Sequence, residues 1–201
     1  MVEAVNQQTR INILRLGFLA MLPVLILIKP HMGFESLGHE IIEAIGALVL
    51  IAGVLGRFWS ILYVGGKKNA RLTVDGPYSM TRNPLYVAST VAAFGIGLMM
   101  GAFGFALLVG GAVGLVLYIT ARREAQFLEA EFGAEYRAYA ERVPFFIPDP
   151  RLFSTPPEAV FRAGPLRRNL FDAMVFLSFI PLVEMLDLLK EHIGFSGWSL
   201  W

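Results

Sequence analysis

Five long apolar runs, at residues 11–28, 41–64, 85–100, 102–120 and 170–189, constrain this chain more than any other feature. A helix needs about 20 predominantly apolar residues to cross the hydrocarbon core of a bilayer. Charged residues make up 16 % of the chain and hydrophobic ones 56 %, with a mean hydropathy of +0.60. Soluble domains carry about 25 % charged residues. The expected fold is all-α: a polytopic membrane helical bundle of about five transmembrane helices in one domain. Helices are the economical solution because hydrocarbon offers the backbone no partners.

The net charge of +1 gives no basic footprint for nucleic acid. The absence of cysteine excludes disulfides, thiolate nucleophiles and Cys-ligated metals. His31, His39 and His192 lie far apart and read as interfacial or loop residues. No HExxH, Walker A, GxSxG or strand-associated GxGxxG pattern occurs, so no metal site is expected.

The 11–28 run follows a polar start, holds Arg15 and Pro23, and reads as a retained span rather than a signal peptide, since no small-residue cleavage site follows. The 41–64 run carries Arg57-Phe58-Trp59, a costly position for a cation unless it snorkels or lines a polar cavity. The runs at 85–100 and 102–120 are separated by Met100-Gly101, which suggests a tight helical hairpin, and the second helix is expected to continue through Phe132 to a stop at Gly133. Residues 135–142 then read as a short amphipathic helix with Tyr136 and Tyr139 on one face. Residues 143–148 form an extended, proline-bounded strip. Glu184 and Asp187 fall near the outer end of the last run, where solvation is cheap, and Trp198 and Trp201 suit an interfacial belt.

Lys67, Lys68, Arg71 and Arg82 crowd the loop after the second run, and Arg122 and Arg123 open the segment after the fourth. The excess of cations on cytosolic loops places both segments inside, with the N-terminus inside and the C-terminus outside. The hairpin therefore brings Tyr78–Tyr86 beside Arg122–Glu124 on one membrane face.

Residues 76–86 interrupt the apolar pattern with Gly-Pro and Asn-Pro turns around Arg82, Asn83, Tyr78 and Tyr86. A guanidinium fork suits a carboxylate or phosphate. Glu124 suits an ammonium group, and the faces of Tyr78, Tyr86, Tyr136 and Tyr139 suit a cationic centre. Together these preferences fit a ligand bearing a carboxylate, an amine and a sulfonium. Taken singly, each also fits a headgroup anchor or an interfacial belt.

Gly76-Pro77-Tyr78 followed by Arg82-Asn83-Pro84-Leu85-Tyr86 resembles the "GPY…R-H/N-P-x-Y" motif of the isoprenylcysteine carboxyl methyltransferase and phospholipid methyltransferase group of integral membrane enzymes. Glu124, Leu128, Phe132-Gly133, Tyr136, Tyr139, Arg142-Val143-Pro144 and Ile147-Pro148 are similar to the group's second signature. The likeness covers roughly residues 41–150, leaving 151–201 as an extension with a further apolar helix that would cover an acceptor tunnel or make an oligomer contact.

The resemblance implies an S-adenosylmethionine-dependent methyltransferase. Its cofactor site would be cytosolic and its lipophilic acceptor (a carboxylate, a phospholipid amine or a thiol) would enter from the bilayer. Gly76, Tyr78, Arg82, Asn83, Pro84, Tyr86, Glu124, Tyr136 and Tyr139 would surround the cofactor, with Glu124 and Arg142 near the reacting groups. Two departures stand inside the motifs: Asn83 replaces a frequent histidine, and Ala125 replaces the second of paired acids. A nicotinamide-dependent membrane reductase and a non-catalytic packing or transport subunit are the competing readings.

Overall fold

Prolines and glycines set most of the boundaries in the computed structural model, which describes residues 28–29, 36–64, 71–158, 161, 163–194 and 198–199. The elements are β1 (Ile28–Lys29), α1 (Leu37–Val64), α2 (Pro77–Met80), α3 (Pro84–Met99), α4 (Phe103–Phe132), α5 (Ala134–Arg142), a 3-10 turn (Pro150–Leu152), α6 (Ala163–Leu177), α7 (Phe179–His192) and β2 (Trp198–Ser199). The two short strands pair in parallel, Ile28 beside Trp198. Both α2 and α3 open on proline, whose missing N–H would have no helical partner there. The α3–α4 hairpin turns at Gly101 and α4 passes to α5 at Gly133, both with positive φ.

The hairpin, the stop at Gly133 and the short amphipathic helix all stand where the sequence places them. Most of the 11–28 run, with His31, Lys67, Lys68 and the side chains of the tryptophan tail, lies outside the described residues.

α1 and α4 are long and apolar enough to cross a membrane. A soluble core helix would bury such a surface, yet only 22 % and 28 % of their most apolar windows are buried. Leu48 and Leu55 of α1 and Leu107, Leu108 and Leu115 of α4 point outward. Outward apolar faces belong in lipid, and the chain is a membrane protein. Helix α3, at about 24 Å, falls short of an upright crossing of about 30 Å. Two of the described helices therefore have the length of a span, and the first of the five expected spans lies almost wholly outside the described residues. The last apolar run is broken at Ser178 into α6 and α7. Backbone bonds from Ser178 to Met174 and from Leu182 to Ser178 carry the chain across the break. Pro181 nearby cannot donate to the preceding turn.

Helices α1 and α3 touch backbone to backbone. A Cβ on Gly53 would lie 2.5 Å from the Ala92 nitrogen, and one on Gly95 would lie 2.5 Å from the Leu50 nitrogen. Close approach of this kind drives helix association where lipid removes the hydrophobic term. Leu50, Val54, Ala92, Ile96, Met99 and Phe105 form the core beside it, and Ala173, Phe179 and Val183 of α6 and α7 complete it.

Polar pairs dock the last helices along α1. Near one end, the Arg57 guanidinium donates to Ser89 Oγ and to Asn169 Oδ1 (3.2 Å), faces Asp172 at 3.7 Å, and stacks on Phe176. Arg57 thus lines a polar contact between helices rather than snorkelling. At the other end His39, expected in a loop or at an interface, is 3 % exposed. Its Nε2 lies 3.3 Å from Asp187, which also pairs with Lys190. Asp187 is buried as well, so the solvation expected for it is supplied by ion pairing instead. His192 is exposed.

Candidate functional site

The two motifs are sewn together by hydrogen bonds. Because α3 and α4 form a hairpin, the start of α3 and the end of α4 share one end of the bundle. From α5 the strip 143–148 doubles back along residues 80–83. Arg82 N–H donates to Pro144 O at 2.9 Å and Asp149 N–H to Met80 O at 2.9 Å. Asn83 Nδ2 donates to Phe145 O at 2.7 Å, and Thr81 Oγ1 to Phe146 O at 3.0 Å. The Tyr139 hydroxyl donates to Tyr78 O at 2.7 Å. At about 0.5–1.5 kcal/mol net for each bond, the set holds one motif in register with the other. The conformational preference of either segment alone could not do so.

The expected site residues divide. Arg82 stands at the centre: its guanidinium lies 3.5 Å from the Tyr136 hydroxyl and 5.0 Å from the centre of the Phe145 ring. Its Nε is buried and has no hydrogen-bond partner among the described residues. Gly76 is buried with φ 60°, and a side chain there would strike the Tyr63 ring. Pro84 starts α3, and Tyr86 is buried against Leu117 and Ala121. Tyr136 and Tyr139 are buried with ring centres 6.2 Å apart. Glu124 is half-buried and lies within electrostatic reach of Tyr78. Arg142 is exposed at the end of α5, close enough to Tyr139 to act on its ionisation.

Burial pushes the ionisation of Tyr78 upward, helped by Tyr139 and Glu124. Burial does the same to Tyr139 and Tyr136, with Arg82 opposing it in both. All three phenols therefore stay protonated through the neutral range, as donors and π-faces rather than as bases.

A cavity of about 340 Å³ opens beside Arg82, lined also by Tyr118, Arg122, Ala125, Gln126 and Phe145. Small-molecule sites begin at about 300 Å³. Tyr118, Arg122, Gln126 and Phe145 were not among the expected site residues. A signal for three of them does exist, since Tyr118, Arg122 and Gln126 follow at four-residue steps on α4. Glu124 is turned about 200° from Gln126 around the helix and is not among the lining residues.

The extension 151–201 backs the first motif. Gly76 N–H donates to Ser154 O at 2.8 Å, Ser154 N–H to Ser79 Oγ at 2.9 Å, and Tyr63 and Thr155 share a 2.7 Å hydroxyl bond. Phe153 packs on Trp59.

The sequence profile of the phospholipid methyltransferase family matches residues 41–135. Two relatives are similar over 147 residues, which make up 73 % of this chain and 68 % of each relative. They are the nickel-cobalt-cadmium resistance protein NccN of Alcaligenes xylosoxydans xylosoxydans, 33 % identical, and the cobalt-zinc-cadmium resistance protein CzcN of Cupriavidus metallidurans, 32 % identical. The chain belongs to the phospholipid methyltransferase family. No solved structure matches it. The family match runs from α1 to the first residues of α5 and so contains the whole of the first motif, Glu124 and the cavity wall on α4. Tyr136, Tyr139 and the strip that grips Asn83 lie just past its end.

Proposed function

We propose that this chain is an S-adenosylmethionine-dependent methyltransferase working where its two motifs meet, on the cytosolic face, upon a lipophilic acceptor reached from the bilayer. One observation carries the reading. Six hydrogen bonds join residues 78–83 to residues 139–149, yet the buried Nε of Arg82 at their centre is left unpaired beside a cavity. An unsatisfied buried donor is costly, and a carboxylate-bearing ligand would satisfy it. The site fits the cofactor in that respect; the tyrosines of the two motifs flank it, and Glu124 lies within reach of Tyr78 but outside the cavity lining.

When bound, S-adenosylmethionine supplies an electrophilic methyl group. Arg82 would hold its carboxylate, with Tyr136 fixing the guanidinium and Phe145 covering one face of it. Glu124 would hold the ammonium group, while Tyr78 and Tyr139 present rings to positive charge. Orientation and exclusion of water do the remaining work. Positioning alone can account for about 7–11 kcal/mol of a barrier, so a site poor in bases suits this reaction better than hydrolysis.

The names of the two relatives tie them to resistance against nickel, cobalt, cadmium and zinc. A shared role would run through methylation of a membrane component. The test is calorimetric titration of S-adenosylmethionine into the detergent-purified chain beside an Arg82→Ala, Glu124→Ala variant. Saturable binding to the native chain, lost in the variant, is expected. Absence of binding to folded native protein, or preferential binding of a nicotinamide dinucleotide phosphate, would overturn the reading.

A further inference from the structure

The cavity beside Arg82 has two ends of different character. Arg82 is half-buried and belongs to the motif contacts, whereas Arg122 and Gln126 are exposed on α4. Arg122 is held in place by its own helix: Nη2 donates to the Tyr118 hydroxyl at 3.0 Å, and the guanidinium lies 5.3 Å from the centre of that ring. Tyr118 in turn packs edge-on against Phe145 and Phe146. The outer mouth is therefore an arginine on an aromatic wall. The lining contains two guanidinium groups and no carboxylate.

The surface leading to this mouth is apolar. Leu108, Leu115 and Ile119 are 61 %, 61 % and 47 % exposed. At helical spacing they form one stripe with Arg122 and Gln126. Arg122 stands about 28 Å along the helix from Phe103, near the limit of a hydrocarbon core about 30 Å thick. An acyl chain on the stripe thus ends at a cationic cavity. Glycerophospholipids have this build, and the positive lining selects one with net negative charge.

We propose that the outer half of this cavity is a headgroup site for an anionic phospholipid of the adjoining leaflet. Arg122 takes the phosphate through charge-assisted bonds, Gln126 donates its amide to a headgroup oxygen, and the chains lie along Leu108, Leu115 and Ile119. A lipid seated there closes the outer mouth against water. Lipid retention needs neither cofactor nor turnover, so this site stands or falls separately from the methyltransferase reading.

The experiment titrates dioleoylphosphatidylglycerol, with dioleoylphosphatidylcholine in parallel, into the full chain in a mild uncharged detergent and counts bound lipid by native mass spectrometry. Phosphatidylglycerol is expected to be retained roughly tenfold more strongly. Arg122→Gln should erase that preference. Arg123→Gln removes the same charge one position along, outside the cavity lining, and should leave it within about twofold. Gln126→Glu keeps both arginines and should lower retention by repulsion, which covers the case in which Arg122→Gln fails to fold. Equal losses in the Arg122 and Arg123 variants would overturn the site in favour of diffuse surface charge. So would equal retention of the two lipids, or displacement of phosphatidylglycerol by millimolar inorganic phosphate.

Discussion

Asn83 occupies a place where the resembling family often has histidine, and the structure shows what the amide does there. Its Nδ2 grips Phe145 O at 2.7 Å and so fastens the second motif to the first. Asn83→Ala should cost about 1–2 kcal/mol, read as a shift in chemical denaturation in micelles, and should weaken cofactor binding in proportion to the loosened strip. The tyrosines give a second prediction at this scale. Burial raises the ionisation of Tyr78, Tyr136 and Tyr139 above the ordinary phenol value. An unfolded chain would release these protons first, from about pH 10. Their contribution to stability is therefore complete below about pH 10 and is lost as pH rises further, because the folded state then binds more protons than the unfolded one. Absorbance titration at alkaline pH should show Tyr78, Tyr136 and Tyr139 ionising late and together with unfolding. Ionisation of all the tyrosines near pH 10 in the folded chain would contradict it. Arg82 and Asn83 stood out in the sequence because a turn-rich polar segment between apolar runs has few structural uses, but the grip of Asn83 on Phe145 was not readable there. Thr81 and Phe145 were not legible, since their part is to exchange backbone and hydroxyl bonds with residues more than sixty positions away.

Element boundaries were readable wherever proline or glycine writes them into the backbone. Pro77 and Pro84 open helices, and Gly101 and Gly133 turn the chain at positive φ. The break at Ser178 was not readable: an apolar run looks continuous, and a proline inside it predicts a kink without saying whether the helix survives. Nor was the docking of α6 and α7, because it depends on partners such as Arg57 and Asn169, separated by 112 positions. That docking is testable at its polar centre. Arg57→Leu would strand the buried Asn169 Oδ1, while Ser89 keeps its bond to Leu85 O at 2.7 Å and Asp172 is largely solvated and would lose little. The expected cost is about 1–3 kcal/mol, together with faster trypsin cleavage at Arg167 and Arg168 as α6 loosens. Unchanged cleavage would mean that the glycine-packed core and the strap over Gly76 hold the extension without this cluster.

For the whole molecule, the decisive feature is that its polar chemistry sits at two ends separated by an apolar belt. Tyr63 binds Thr155, and Arg57 binds Asn169, toward the end that carries both motifs. His39 binds Asp187 at the other. Helices α1 and α7 therefore run antiparallel, and Glu141 on α5 and Glu191 on α7 stand at opposite ends. Outward leucines between the ends leave lipid as the medium that the belt fits. A chain without cysteine makes the arrangement measurable, because a single introduced thiol reports with no background. Glu141→Cys should react with a membrane-impermeant maleimide only from the cytosolic side, in inside-out vesicles. Glu191→Cys should react only from the other side, in intact cells; both side chains are exposed and peripheral, so neither change should disturb folding. Labelling of both thiols from one side would mean that α6 and α7 do not cross, and the paired ends would then need another medium. Reaction of Glu141→Cys from outside would invert the orientation drawn from the lysines and arginines, and the cofactor would have to be sought on the other face of the membrane.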